Sequence, residues 1–275
     1  MGYTVTDIAF RRTWGPKPNY PNVLAYAGSF RAKPLIVAGP CSVESQAQIA
    51  VIVPELARFG IDYARGGVFR AGTYPHPGKP FGLEEELADF WVHRCRVAGL
   101  KVVMEVLDLR QADWMAERAS ALQVGCRGMQ SYPLLREVAS FGKLVFLKRS
   151  VGAKVDEWLG AAEHLLVGGC KEIILVERGI STFNDHCRWT QDISAIPAVK
   201  AITGIPVVVD ASHGTGRRDL VLPMTLAGIA AGADGYLVEV HPEPEKSLSD
   251  ADQALPLDQF PEFQRRVNAV WGART

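Results

Sequence analysis

LIVAGPCSVES, residues Leu35 to Ser45, is a short apolar run stopped by Gly39 and Pro40 that then delivers a cysteine, a serine and a glutamate. An apolar run of that length bounded by Gly and Pro reads as a buried parallel strand, and residues just past such a strand sit where α/β proteins keep their chemistry. Taken alone, Cys41 reads as a small buried hydrophobe, because free cysteine is among the most buried residue types. Whether it is instead a ligand depends on what the other strands deliver.

Working outward, the chain alternates short apolar runs with helical patterns, the signature of βα units and a parallel sheet. The runs predict strands over Leu35–Ala38, Ile61–Ala64, Lys101–Val106, Leu122–Cys126, Lys143–Leu147, Glu172–Val176, Ile205–Val209 and Gly235–Val238. Apolar residues at three- and four-residue steps predict helices between them, as in Gln46–Phe59, Glu84–Ala98, Lys154–Val167, Leu220–Ala231 and Leu257–Trp271. Gly60, Gly99 and Gly232 stand just past helix ends, where a left-handed C-cap wants glycine. Eight βα units at this length predict an α/β protein of the (β/α)8 TIM-barrel type, residues 34–275, preceded by a short N-terminal arm, residues 1–33. An open doubly wound sheet is the alternative, disfavoured because no GxGxxG turn follows the first strand.

Composition excludes several classes. The 275 residues are 48% hydrophobic and 22% charged, and Lys+Arg and Asp+Glu balance at 30 each. No global field therefore points to nucleic acid or a membrane surface, and a local basic cluster would suit a small anion. Five cysteines without a CxxC pair argue for a reducing compartment. No leader opens the chain and no apolar run is long enough to span a bilayer, so a cytoplasmic protein is expected.

In a barrel the site is built at the C-terminal ends of the strands. The expected ends carry, in order, Cys41; Arg65 and then Arg70; Glu105 and Asp108; Arg127; Lys148 and Arg149; Glu177 and Arg178; Asp210, Ser212 and His213; and Glu239 and His241. One charge at a strand end is usually a solvated loop residue, but independent accidents at every end are improbable. Cys41, His213 and Glu239 offer soft, borderline and hard donors to one divalent transition metal, and Asp250 can reach back as a fourth. Arg65, Arg127, Lys148 and Arg178 form a ring of cations suited to a phosphate or a multiply charged anion. A metal beside an anion site fits Lewis-acid activation of a carbonyl with an anionic partner held in attack geometry, an aldol-type reaction rather than a hydrolysis.

These residues lie in motifs that resemble the type I phosphoenolpyruvate-dependent aldose synthases, and most of all the 3-deoxy-D-arabino-heptulosonate 7-phosphate (DAHP) synthases. The motifs are GPCSVES (Gly39–Ser45), ARGGVF (Ala64–Phe69), CRGMQ (Cys126–Gln130), LKR (Leu147–Arg149), ERGISTF (Glu177–Phe183), DASHGTGRRD (Asp210–Asp219) and EVHPEPEKSLSD (Glu239–Asp250). The resemblance implies Cys41, His213, Glu239 and Asp250 as ligands of one divalent ion, Mn, Fe, Co or Zn. It places Arg127, Lys148 and Arg178 on the phosphate and carboxylate of phosphoenolpyruvate, with Arg65 on the same ligand. Glu105 is similar to a glutamate near the water that adds at C2. The implied catalytic set is Lys148, Glu105, His213 and Cys41, the implied partners are phosphoenolpyruvate and an aldehyde, and a homo-oligomer in the shikimate pathway is expected.

The departures concern the aldehyde. Where the family reads Lys-Pro-Arg-Thr-Ser-Pro, this chain reads Arg70-Ala71-Gly72-Thr73-Tyr74-Pro75, so Arg70 and Thr73 keep substrate-binding positions while Gly72 removes a bidentate phosphate donor. Ser181 and His186-Cys187-Arg188-Trp189-Thr190 also differ, and Trp189 would make the acceptor end more apolar. Two readings stay open: erythrose 4-phosphate with Lys79 or Arg188 replacing the lost arginine, or a different acceptor in a secondary-metabolite pathway. Further alternatives are an anion-binding relic and a synthase taking arabinose 5-phosphate. His76 and Lys79 are candidate acceptor contacts, His241 a residue that orients a metal ligand, and His93, His164, Cys95 and Cys170 packing or surface residues.

Overall fold

Strand β1 (Leu35–Gly39) is buried along its whole length, as a continuous apolar run requires. Beyond it the computed structural model describes residues 19–28, 32–70, 82–83 and 85–274. Strand β2 (Tyr63–Arg65) pairs with β1, and a small antiparallel hairpin of β3 (Phe69–Arg70) and β4 (Gly82–Leu83) follows. The parallel sheet continues through β5 (Lys101–Val106), β6 (Ala121–Val124), β7 (Leu144–Lys148), β8 (Ile173–Glu177), β9 (Val207–Asp210) and β10 (Gly235–His241). Leu35 to Gly39 then pair in parallel register with Gly235 to Glu239, so β10 returns to β1. The sheet closes into a (β/α)8 TIM barrel, and the open-sheet alternative falls away because β1 has partners on both edges. A two-residue strand, β11 (Leu255–Pro256), adds to the outer part of β10.

Period-two alternation sorts the apolar residues into two cores. Leu35, Val37, Val103, Ala121, Phe146, Ile174, Val176, Val208 and Leu237 fill the barrel interior, with Tyr63 and Leu144 packed against them. Their neighbours Ile36, Ala38, Val102, Met104, Val145, Leu147, Val207 and Val209 point the other way, into the larger core beneath the helices. The helix Gln46–Arg58 shows how the outer layer is set. Ser45, the last residue of the opening motif, caps it by accepting from the Gln48 N–H at 3.1 Å. Its buried face is Ile49, Ile52, Val53 and Leu56, each contributing roughly 2 kcal/mol of hydrophobic stabilisation. Gly60, Gly99 and Gly232 take the expected left-handed φ of 64°, 76° and 106°.

The strands differ from the expected bounds in one systematic way. Strands β7, β8, β9 and β10 run on through Lys148, Glu177, Asp210 and Glu239, and β2 ends on Arg65 rather than Ala64. An apolar-run criterion stops at the first charge, whereas backbone pairing is indifferent to side-chain polarity and continues as long as a neighbour strand does. Strand β6 instead stops at Val124, short of Cys126, because the chain turns there with the Gly128 N–H on the Gly125 carbonyl at 2.9 Å. Of the arm, residues 1–18 and 29–31 lie outside the described residues. A short helix, Pro21–Ala25, packs against the helix Val155–Val167, whose Glu163 accepts from the Asn22 and Val23 N–H groups at 3.2 and 2.8 Å.

Candidate active site

The interior register, continued towards the C-terminal mouth, generates the site. Two residues after Tyr63, Val103, Ala121, Phe146, Val176, Val208 and Leu237 come Arg65, Glu105, Gln123, Lys148, Arg178, Asp210 and Glu239. All seven share the inward phase of their strands. Glu177 and Arg149 lie in the opposite phase and serve the scaffold instead. Arg149 pairs with Asp192 at 2.7 Å and lies over the Trp158 ring. Glu177 accepts from the Gly179 N–H at 2.9 Å and from Gln191, and burial raises its carboxyl to about 7. Asp108, on the third strand end, caps the turn Leu109–Gln111 and pairs with exposed Arg110.

Gly39 sharpens the end of β1. It has φ 154°, and a side chain there would meet the Arg65 carbonyl oxygen at 1.8 Å, so only glycine lets β1 and β2 approach closely enough to place Cys41 at the mouth. One donor atom each from Cys41, Glu239 and Asp250 lie within 4.8 Å of one another, and the Cys41 thiol donates to Asp250 Oδ2 at 3.3 Å. Burial, then the charges of Glu239 and Asp250, push the Cys41 thiol well above its ordinary pKa. His213 Nε2 joins the cluster at 3.1 Å from Glu239 Oε1. A thiol, an imidazole and two carboxylates gathered in this way are donor types that could hold a divalent transition metal.

His213 is held by Asp210. The helix Ala211–Thr215 begins with Asp210 as its N-cap, accepting from the His213 N–H at 3.0 Å, and the same carboxylate lies 2.9 Å from His213 Nδ1. Lys148 Nζ pairs with Asp210 Oδ2 at 2.9 Å. Burial works against the Asp210 charge, but His213 and Lys148 outweigh it and hold the carboxyl well below the usual range. His213 shows the mirror image: burial opposes its charge, and Asp210 and Glu239 raise its pKa nonetheless. With Nδ1–H donated to Asp210, Nε2 is the ring nitrogen turned to the cluster, the orientation a metal-binding histidine needs.

Glu239 gathers three partners: Arg65 at 2.7 Å, His213, and the Gln253 amide at 2.5 Å. Burial disfavours its charge, yet His213 and Arg65 lower its pKa far below the ordinary carboxylate value. The anion side of the mouth is under-satisfied. Arg178 is 6% exposed and, among the described residues, its Nε and one terminal nitrogen have no hydrogen-bond partner, nor does Arg65 Nε. Uncompensated buried guanidinium donors are costly, so these groups suit an anionic ligand. Trp189 lies against Arg178, its ring centre 5.6 Å from the guanidinium carbon. Arg127 sits exposed on the turn after β6 with no hydrogen bond or ion pair among the described residues. Glu105 accepts from the Gln123 amide at 2.8 Å, and the space over Gly125 is filled by its carboxylate.

The structure thus brings together Cys41, His213, Glu239 and Asp250, with Arg65 and Lys148 tied to the same cluster and Glu105 and Arg178 in the shared inward phase. Thr73, Gly72, Lys79 and His76 lie outside the described residues, and of Arg70 only the backbone, in β3, is described. Trp189 stands over the cation Arg178. His241 meets none of the four donors directly among the described residues: the Glu243 N–H donates towards Nδ1 at 3.0 Å, and Nε2 faces Gln48 at 3.0 Å and Glu44 at 3.4 Å. Asp210, Gln253, Gln123, Ser42 and Glu44 carry more of the site than their sequence context suggests. Only Asp210 had a legible signal, an acid three residues before a strand-end histidine.

Residues 28–271 match the profile of the DAHP synthetase I family. The chain is 41% identical over 235 residues to phospho-2-dehydro-3-deoxyheptonate aldolase of Thermotoga maritima, covering 86% of this chain and 69% of that protein. It is 29% identical over 274 residues to 2-dehydro-3-deoxyphosphooctonate aldolase of Nitratidesulfovibrio vulgaris, covering 92% of this chain and 97% of that one. Among solved structures, phospho-2-dehydro-3-deoxyheptonate aldolase (DAHP synthase) of Thermotoga maritima superposes with TM-score 0.83 at 39% identity, covering 87% of this chain and 69% of that one. A truncated form of 3-deoxy-D-arabino-heptulosonate 7-phosphate synthase from the same organism gives 0.80 at 38% identity, with 87% of each chain covered.

Proposed function

The chain belongs to the DAHP synthetase I family, and from that membership we propose that it is a transferase joining phosphoenolpyruvate to erythrose 4-phosphate, with release of phosphate and formation of a seven-carbon 3-deoxy-2-keto sugar acid. The observation that carries the reading is the inward register of the barrel. It delivers Arg65, Lys148, Arg178 and Glu239 to one mouth, where Cys41 and Asp250 meet Glu239.

Cys41, His213, Glu239 and Asp250 would hold one divalent ion, and the residues fit it: Cys41, Glu239 and Asp250 converge within 4.8 Å, and Asp210 presents His213 with Nε2 3.1 Å from Glu239. Bound there, the ion would supply Lewis-acid polarisation of the aldehyde carbonyl. Arg65, Arg127, Lys148 and Arg178 bind the phosphate and carboxylate of phosphoenolpyruvate and fix the face from which C3 attacks, converting a bimolecular encounter into an oriented one. Arg178 is kept from turning away by the Trp189 ring. Lys148, held by Asp210 at 2.9 Å, presents its ammonium to the charge that develops on the substrates. Glu105, anchored by Gln123, holds the water that adds at C2.

The 41% identity to a phospho-2-dehydro-3-deoxyheptonate aldolase favours erythrose 4-phosphate over arabinose 5-phosphate, for which the similarity is 29%. Among the described residues no helix is long and apolar enough to cross a membrane, and we place the enzyme in the cytoplasm as a homo-oligomer. The test is steady-state phosphate release from phosphoenolpyruvate with erythrose 4-phosphate, arabinose 5-phosphate and unphosphorylated erythrose. We expect saturable turnover with the first and kcat/KM at least tenfold lower for the others, a difference of about 1.4 kcal/mol in transition-state binding. Preference for an unphosphorylated aldehyde would replace the proposed acceptor.

A further inference from the structure

The residue that completes the metal-type cluster, Asp250, is in a backbone conformation an aspartate does not adopt by default. Its φ is 51°, the one positive value among the described non-glycine residues. Such a conformation persists only where the surroundings over-determine it. Two sets of contacts do so, one to the residues before Asp250 and one to its carboxylate, and both come from residues outside the donor set.

From below, the residues after Cys41 are fastened to the residues before Asp250. The Ser42 and Ser249 hydroxyls lie 2.7 Å apart. Glu44 Oε1 accepts from the Leu248 N–H at 2.8 Å and from the Ser247 hydroxyl at 3.3 Å. Glu44 is itself 3.4 Å from His241 Nε2, which also lies 3.0 Å from the Gln48 amide nitrogen. From above, Arg188 pairs with Asp250 Oδ1 at 2.9 Å, leaving Oδ2 for the Cys41 thiol. Arg188 has a firm base: its N–H donates to the Thr215 carbonyl, and the Trp189 N–H donates to that of Gly214, both on the turn that carries His213.

We propose that Glu44 and Arg188 are positioning residues for the metal centre, which together aim Asp250 Oδ2 at Cys41 and so set the affinity of the site. The assignment rests on the reading of Asp250 as a ligand. Glu44 fixes the loop Ser247–Asp250 against the segment that follows Cys41. Arg188 occupies the second carboxylate oxygen and ties the same loop to the His213 turn. A carboxylate whose outer oxygen is already engaged has less freedom to lose when its inner oxygen is captured. The charge on Arg188 acts in the opposite sense, repelling a divalent ion, but its side chain is 38% exposed and that repulsion is screened by solvent. Orientation therefore prevails.

The test is a Co2+ titration of the metal-free full-length chain, followed by the thiolate-to-cobalt absorption and calibrated by chelator competition, with no turnover measured. Arg188→Gln and Glu44→Ala are each expected to weaken Co2+ binding tenfold or more. Glu44→Gln, which keeps a carbonyl acceptor for the Leu248 N–H, is expected to recover to within about threefold of the parent, in line with the range seen for outer-sphere partners of metal ligands. Circular dichroism on the metal-free variants checks that the fold is kept, and loss of fold in Glu44→Ala leaves Arg188→Gln and the Glu44→Gln rescue to decide. Co2+ affinity within twofold of the parent in either Arg188→Gln or a folded Glu44→Ala overturns the role of that residue, and tighter binding in Arg188→Gln overturns it equally. Asp250→Asn is the separate control: undiminished affinity there refutes Asp250 as a ligand, whatever the positioning variants do.

Discussion

Replacing Asp210 by asparagine should cost the protein both stability and affinity for a divalent ion. The Asp210 side chain is fully buried and faces two cationic groups, Lys148 at 2.9 Å and His213 Nδ1 at 2.9 Å, besides capping the His213 N–H at 3.0 Å. Asparagine keeps the shape and one acceptor but brings an NH2 group that must point at either Lys148 or His213, both donors. The Lys148 ammonium is then buried without a counter-charge, and breaking a buried pair in this way costs about 3–5 kcal/mol. His213 also loses the partner that fixes its Nδ1–H tautomer, which lowers metal affinity by roughly 10–100-fold. Urea unfolding of the metal-free protein and a Zn2+ competition titration read the two effects separately. An Asp210→Asn protein that unfolds within about 1 kcal/mol of the parent and binds Zn2+ equally well would refute the buried Lys148–Asp210–His213 chain as the element organising the site.

Glu177 offers a pH test away from the metal. Its carboxyl is raised by burial from 4.5 to about 7, so the folded state holds a proton that the unfolded state releases across that window. Unfolding free energy should therefore fall as pH rises from 4.5 to 7, by roughly 3 kcal/mol at 1.4 kcal/mol per unit. In Glu177→Gln this slope should vanish, with the Gln191 carbonyl, which lacks a partner, accepting the new NH2. Urea midpoints at pH 5 and pH 8 decide it, and parallel pH dependences in parent and variant would argue against the buried acid. Gly125→Ala tests Glu105: the added methyl would stand 2.0 Å from Glu105 Oε1 and displace the carboxylate from Gln123. Because the displaced group is the end of a side chain, stability should change by only about 1 kcal/mol while kcat falls at least tenfold and KM for phosphoenolpyruvate moves little. An unchanged kcat would remove Glu105 from the reaction.

The sequence carried the barrel because its two periodicities are local: short apolar runs for buried strands and three- and four-residue steps for the helices over them. Cys41, His213, Glu239 and Arg65 were legible because each falls at a strand end, and a strand end is a property of the chain alone. The phase of those ends was harder to read. Glu177 and Lys148 both follow apolar runs, yet one faces the helices and the other the mouth, and only the closed interior of Leu35, Phe146, Val176 and Leu237 shows which. Glu44, Ser42 and Arg188 were beyond sequence reasoning for a further reason. Their partners, Leu248, Ser249 and Asp250, lie far along the chain, and the contacts are single hydrogen bonds and an ion pair that leave no pattern in composition or spacing. The contact of Trp189 with Arg178 was likewise invisible in the sequence.

The central claim is that one divalent ion at Cys41, His213, Glu239 and Asp250 works beside the cations of the barrel mouth to join two substrates. It is tested by stripping the enzyme with a chelator and titrating metal back in the presence of phosphoenolpyruvate and erythrose 4-phosphate, with formation of the seven-carbon keto acid read against metal equivalents. The account predicts no product from the stripped enzyme, a linear rise to a plateau at one equivalent per chain, and no rise in Cys41→Ser. Full activity in the stripped enzyme, or a Cys41→Ser variant that follows the parent titration, would contradict it.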